Sequence, residues 1–314
     1  MSTSLVNTGV TFPDGTTQTT AYAGGTSRAI FAFGYEVFSG TPLSTANQVN
    51  MFGTLSVDMT TVSGPRYSGS AARYGGDRAI FGFGYSSANL STTCLVSNSG
   101  VLGADVTGVG TARNGLAAVG YDYNKAIFAF GYTGSYVSMK NLVSYTGVVA
   151  SDVAGVGTGR LGLAAAGYGA DKAIYAFGDT GSYVSMSNLV SNTGVIASDV
   201  AGVGYARGYL AGARYGGDKA IFSFSTHPAR YIVNLVSNTG VISADVTVAS
   251  TVGGKEGNTA ADYGGDKAIF WNGTTGIGGS AMRTNLVSNT GVVADYITNL
   301  SAQKGHVSGA GYST

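Results

Sequence analysis

Histidine occurs twice in the 314 residues, at His227 and His306, cysteine once, at Cys94, and glutamate twice, at Glu36 and Glu256. Acid–base and nucleophilic catalysis need groups of tuned pKa gathered in one place. These few are scattered: His227 lies in "STHPAR" and His306 in "KGHVS". Their spacing gives no Cys–His or Ser–His–Asp arrangement, and no G-x-S-x-G elbow occurs. "GVGTGR" at 155–160 has the outline of a phosphate loop, but "GVGTAR" and "GVGYAR" repeat it and no helical pattern follows. There is no Asp-rich calcium loop, and two distant glutamates do not make the carboxylate pair of a glycosidase, although Asp pairs brought together by the fold stay open. The expectation is a protein that is not an enzyme, with no cofactor and no metal site.

The charges follow a period instead. Aspartates recur at Asp58, Asp105, Asp152, Asp199, Asp245 and Asp295, and Arg66, Arg113, Arg160 and Arg207 each follow an Asp by eight residues. Lys255 and Lys304 take the basic place in the last units. A charge present in every unit reads as framework, an ion pair between units or a turn cap. A basic residue also opens each "AIF" strand, so five of the 17 Lys and Arg remain: Arg73, Lys140, Arg214, Arg230 and Arg283. Arg73, Arg214 and Asp262 precede an inner-strand Tyr where other units have Gly, which places them near one mouth of a central channel, with Arg214 and Asp262 paired. Lys140, Arg230 and Arg283 fall in the segments between second and third strands, the most variable part of the repeat. Loops on a rigid scaffold are where binding residues gather, and exposed aromatic faces beside Asn, Asp and Arg suit a sugar. The candidate ligand-binding set on this face is Tyr136, Lys140, Tyr183, Arg230, Tyr231, Trp271, Asn272 and Arg283.

The elements that would hold this face are written six times. "RAIFAFGY" at Arg28 returns as "RAIFGFGY" at Arg78, "KAIFAFGY" at Lys125, "KAIYAFGD" at Lys172, "KAIFSFST" at Lys219 and "KAIFWNGT" at Lys267. A second phrase, "NLVSNTGV", begins at Asn188, Asn234 and Asn285, with variants from Cys94 and Asn141. One unit reads as a small Gly-rich strand ("RLGLAAAGYG"), an aromatic strand ("DKAIYAFGD"), a polar loop ("TGSYVSMS"), a strand and hairpin turn around Asn192-Thr193-Gly194, and a short outer strand ("SDVAGVG"). Four short antiparallel strands per unit of this length are the signature of a β-propeller blade. The predicted fold is all-β, a six-bladed propeller over 25–314 with an arm at 1–24. The C-terminal "HVSGAGYST" is an inner strand without an aromatic partner, so the ring closes by pairing it with the first aromatic strand; "TTAYAGG" at 19–25 competes for that place.

Composition narrows the partners. Net charge is +1 with 11% charged residues, so no basic field for nucleic acid exists. No apolar run reaches the length of a membrane span, and the N-terminus lacks a signal-peptide pattern. A lone cysteine rules out a disulfide framework. A homo-oligomer stays open.

The order of signals in each unit, with "YGGD" at Tyr74, Tyr215 and Tyr263 and the aromatic strand ending in Phe-Gly, resembles the kelch repeat family. It departs from that family in lacking a Trp on the outer strand; Trp271, the only Trp, is on another strand. The segment "TFPDGTTQTTA" resembles an element near the start of phage tail-fibre proteins, and the repeats resemble Gly-rich propeller repeats of tailed-phage virions. That resemblance implies a virion protein of fibre, spike or decoration type, attached to other virion proteins through residues 1–24, with the propeller contacting a host surface glycan or another subunit. The alternative is a cellular propeller lectin or interaction scaffold.

Overall fold

The computed structural model describes residues 10–11, 17–18, 27–225, 231–248, 258–272, 283–298 and 304–313. Every described element is a β-strand, and all pairing is antiparallel. Six sheets of three or four strands make the body, with two two-stranded ribbons, one of which pairs Val10–Thr11 with Thr17–Gln18.

Each body sheet begins with a strand of small residues: Ser70–Tyr74, Ala117–Tyr121, Ala164–Tyr168, Ala211–Tyr215, Thr259–Tyr263 and Ser308–Ser313. Each of these packs beside the corresponding strand of the sheets before and after it, and the order closes on itself. Glycine is required at the closest approaches. A Cβ on Gly120 would lie 2.9 Å from the Arg73 carbonyl oxygen, and one on Gly212 would lie 2.8 Å from that of Ala165. The neighbouring backbones leave no room for a methyl group.

A ring of amide bonds ties the far ends of these strands together. Gly75 N–H donates to Asn124 O (2.7 Å), Asp122 to Asp171 (2.8 Å), Gly169 to Asp218 (2.7 Å), Gly216 to Asp266 (2.7 Å), Gly264 to Ser27 (2.9 Å) and Ser313 to Asp77 (2.9 Å). The sixth bond returns to the first sheet. At the near ends, Gly115 donates to Ser68 (2.9 Å), Gly162 to Gly115 (2.8 Å), Tyr209 to Gly162 (2.6 Å) and Ser68 to His306 (3.3 Å).

The aromatic strands fill the space between sheets. Ile127, Phe128 and Phe130 are fully buried, as are Ile174, Tyr175 and Phe177 in the next unit. Each hydrophobic cluster joins residues of two neighbouring sheets, and the Tyr175 hydroxyl donates across to Ile127 O (3.0 Å). The chain ends close the body as expected. Ser308–Ser313 pairs with Ser27–Ala32, with Ala310 opposite Ile30, and Lys304–Gly305 pairs with Tyr35–Glu36. The competing segment 19–25 lies outside the described residues.

Two expectations about strands need correction. Four strands form a full ladder in three sheets; in the other three the outer segment touches the third strand only through bridges such as Val106 to Thr93 and Val200 to Ser187. The Gly and Asp of these outer segments are poor ladder residues. "TGSYVSMS" is largely strand: Tyr183–Val190 pairs with Lys172–Asp179, and only 180–182 turn. Its alternation of Tyr, Val and Met supports pairing that its polarity obscured.

The octapeptide "NLVSNTGV" and its variants supply the turn at the end of five of the six third strands, and Asn50–Gly53 takes that place after Thr45–Val49. Ser191 N–H donates to Val195 O and Gly194 N–H to Ser191 O, both at 3.0 Å, with Gly194 at φ +78. A Cβ at Gly194 would also meet the Tyr121 hydroxyl at 2.8 Å, because the last residue of the preceding sheet's inner strand packs on this turn.

Candidate binding face

The recurring charges form a clamp between sheets. Arg160 is fully buried; its guanidinium stacks on Phe130 of the preceding sheet, 4.3 Å from the ring centre. It donates to Phe177 O (2.8 Å), Thr158 O (3.1 Å) and Asn188 Oδ1 (2.6 Å), and approaches Asp199 at 3.8 Å. Asn188 Nδ2 in turn donates to Asp199 Oδ1 (2.9 Å) and Ala197 O (3.0 Å). Arg113 repeats this with Asn141 and Asp152, and Arg207 with Asn234 and Asp245. Each Arg therefore pairs with the Asp of the following repeat, not with the one eight residues before it. Lys304 closes the series on Asn47 and Asp58, both at 2.8 Å. Where Cys94 replaces the Asn, Arg66 bonds Asp105 directly. Burial pulls Arg113, Arg160 and Arg207 down to about 10, opposed by their aspartates. Burial acts to raise Asp152 and Asp199, but hydrogen bonds from Thr111 or Thr158 and from the Asn, with the nearby Arg, leave both below the usual carboxylate value.

The stacked Phe ends its strand in the left-handed region: Phe33, Phe83, Phe130, Phe177 and Phe224 have φ between +61 and +69. That conformation costs an L-residue about 1–3 kcal/mol. Here the following chain turns outward, and this is the start of the variable segments on the candidate face.

The inner strands surround a channel of ≈ 660 Å³, walled mainly by Ala, Gly and Leu, with Arg73, Arg214 and Asp262 at its far end. Asp262 pairs with Arg73 at 3.7 Å, while Arg214 donates to Ala170 O at 3.4 Å. The expected Arg214–Asp262 pair is thus corrected: Arg73 lies closer across the mouth.

On the candidate face the channel opens into a pocket of ≈ 230 Å³. Ser68 Oγ and His306 Nδ1 are 2.9 Å apart, and Tyr209 and His306 face one another with ring centres 6.1 Å apart. Enclosure lowers the His306 pKa from its ordinary 6.5 and keeps the imidazole neutral at pH 7. An aromatic row runs outward from His306 through Tyr35 (5.5 Å), Tyr67 (5.4 Å) and Tyr85 (5.5 Å). Beside it Asn114 Nδ2 donates to Asn89 Oδ1 at 2.6 Å, and Tyr132 packs on Tyr136 at 5.5 Å. Half-exposed aromatic rings beside amides can hold the apolar face and the hydroxyl edge of a polyol.

The predicted site residues separate. Tyr136 and Tyr183 are on the face, 38% and 40% exposed. Tyr231 is half-buried, its carbonyl accepting from Val248 N–H. Arg230 lies outside the described residues. Arg283 stacks on Tyr296, 3.9 Å from the ring centre. Three expectations are corrected. Trp271 is fully buried against Phe31 (5.2 Å), because it sits on the second strand where its ring fills the core. Asn272 is buried and donates to Asn285 Oδ1 at 2.6 Å, a framework bond. Lys140 is 9% exposed, its ammonium donating to Gly194 O of the next hairpin (2.9 Å), with its pKa lowered by burial. Sequence reasoning missed Ser68, Tyr209, His306, Tyr35, Tyr67 and Tyr85. Four of these (Tyr67, Ser68, Tyr209 and His306) lie in the connections that lead to inner strands, and Tyr35 and Tyr85 follow second strands.

No protein-family model and no curated protein matches this sequence. The fold does recur among solved structures. One is a fungal alcohol oxidase of the AA5 family in complex with copper; the two chains are 12% identical with a TM-score of 0.52, covering 80% of this chain and 68% of that one. At that identity the likeness shows the fold alone. It corrects the expectation of a non-enzyme, because an architecture read as purely structural is one on which an oxidase is built. The donors among the described residues do not fit a copper centre. Copper favours imidazole and thiolate ligands, and His306 and Cys94 are the only described residues of those types. Cys94 is buried between sheets, and no group of three His, Cys, Asp or Glu gathers among the described residues.

Proposed function

We propose that this chain is a six-bladed β-propeller serving as an attachment protein of a tailed-phage virion, joined to other virion proteins through residues 1–24 and presenting its Tyr-rich face to a host surface glycan. The observation that carries the reading is the division of the molecule by role. The same Arg–Asn–Asp clamp and amide rings recur from sheet to sheet, while the segments between second and third strands differ in their aromatic and amide side chains. Six inner strands in closed order support the count of blades. A ring of sheets has no long open edge, which suits a particle surface. The "TFPDGTTQTTA" resemblance, with its short antiparallel ribbon, supports the virion role.

A glycan array with the full chain tests the reading, alongside a Tyr136→Ala/Tyr183→Ala variant that spares the clamps. Specific glycan signals that fall at least tenfold in the variant support attachment through this face. A folded wild type silent on bacterial surface glycans refutes it.

A further inference from the structure

At one position of the repeat, side chains exceed what the fold requires. In the five described units the second residue after the clamp cation (Arg66, Arg113, Arg160, Arg207 or Lys304) is left-handed. Two units fill it with glycine, Gly115 at φ +62 and Gly162 at φ +60. Three others hold the same conformation with a side chain: Ser68 at φ +51, Tyr209 at φ +55 and His306 at φ +50. Glycine suffices for the backbone there and adopts positive φ without steric cost. Strained residues that the scaffold does not need cluster at functional sites, and these three gather on one pocket of ≈ 230 Å³.

The pocket is two-sided. Ser68, Tyr209, Asn258 and His306 supply polar groups, and Asn258 stands at the place held by Leu116, Leu163 and Leu210 in other units. Opposite them the wall is Leu and Gly with one amide, Asn114, whose Nδ2 donates to Asn89 Oδ1 at 2.6 Å. The Tyr209 ring lies over Gly162, where a Cβ would come within 3.2 Å of it. None of the described residues lining the pocket carries a formal charge at pH 7. An anionic sugar or a phosphate would find no cation among them.

We propose that this mouth is a subsite for a single uncharged pyranose ring, the terminal unit of a glycan, with its C–H face against the Leu and Tyr209 surfaces and its hydroxyls toward Ser68, Asn258 and His306. A pyranose carries both an apolar face and a hydroxyl edge, which matches the two sides of the pocket. The inference rests on the attachment reading and names where the chain of sugars ends.

The test replaces each residue with the one its sister units use: Ser68→Gly, Tyr209→Gly and His306→Gly together, and Asn258→Leu separately. Probes are the methyl glycosides of neutral hexoses and of sialic acid, read by saturation-transfer NMR, with the glycan array and thermal unfolding in parallel. The wild type is expected to bind a neutral hexoside, the triple variant to unfold within a few degrees of wild type, and both variants to lose at least tenfold in affinity. Binding retained within twofold in both variants overturns the subsite while leaving attachment standing. Preference for the sialoside overturns the neutral class. A wild type silent on the array and toward every glycoside overturns the attachment reading and this site with it. Should the triple variant fail to fold, Asn258→Leu alone decides by the same criteria.

Discussion

Two asparagines in one octapeptide, Asn188 and Asn192, have opposite roles, and that gives the sharpest prediction. Replacing Asn188 with Ala removes three bonds: from Arg160 Nη2 (2.6 Å), to Asp199 Oδ1 (2.9 Å) and to Ala197 O (3.0 Å). Arg160 is fully buried, so water cannot replace its lost acceptor. A hydrogen bond to a charged group contributes about 1.5–3 kcal/mol and a neutral one about 1. Asp199 is partly exposed and recovers its bond from water, so only the Arg160 and Ala197 bonds are counted. The expected loss is about 3 kcal/mol. At about 2.1 cal/mol/K of unfolding entropy per residue, each kcal/mol moves the Tm of a body of about 290 residues by roughly 1.6 °C, so the midpoint falls by about 5 °C. Asn192 is exposed, its one bond reaching Asp171 Oδ2 at 3.1 Å, and Asn192→Ala is expected to change stability by under about 0.5 kcal/mol. Scanning calorimetry of both variants decides. Equal effects, or an Asn188→Ala midpoint within 2 °C of wild type by that same scale, would refute the clamp as the main link between sheets.

Deleting residues 304–314 removes the inner strand paired with Ser27–Ala32 and the Lys304–Asp58 ion pair, and is expected to abolish the single cooperative transition; an unchanged melting profile would contradict closure through the chain ends. The Cys94 thiol is buried and pushed up to about 11 by desolvation, so a thiol reagent at pH 8 should label it only on unfolding; labelling of the native protein within minutes would place it elsewhere. His306 is held neutral, below its ordinary 6.5, so its unfolded form binds more protons in mildly acid solution. Its contribution is present above pH 6.5 and is lost as pH falls below it, and a His306→Gly variant should show a flatter decline in urea midpoint between pH 7 and 5.

The fold was legible because its parts recur. Six copies of one aromatic strand phrase fix the period, and of the two segments that compete to complete the first sheet, "HVSGAGYST" is the one seen paired there. The framework charges were recognisable for the same reason, yet their partners were not. Sequence spacing joins Asp152 to Arg160, eight residues on, whereas the fold carries Arg160 across to Asp199. A residue between two sheets is assigned by three-dimensional order, and neither short spacing nor charge alone reveals which neighbour it reaches.

Of the candidate residues, Tyr136 and Tyr183 are exposed on the candidate face, while Trp271, Asn272 and Lys140 are buried. Trp271 falls next to a candidate loop in sequence, but its place is the Ala129 position of the aromatic strand, and a strand residue facing the next sheet is core whatever its chemistry. Lys140 stood out as a cation beyond the framework, and it makes a framework bond of its own to a neighbouring hairpin. The residues that do gather at the mouth were hidden by a search for variable loops. They sit in the conserved-looking connection after the cation, where the units read Tyr-Ser, Asn-Gly, Leu-Gly, Gly-Tyr and Gly-His at 67–68, 114–115, 161–162, 208–209 and 305–306. Aligning the units on the buried cation instead of on the aromatic strand exposes the signal: a position that takes glycine where only backbone matters takes Ser, Tyr and His along one arc of the mouth. Backbone that must be left-handed takes either no side chain or a strained one, and three strained side chains gather on this one pocket.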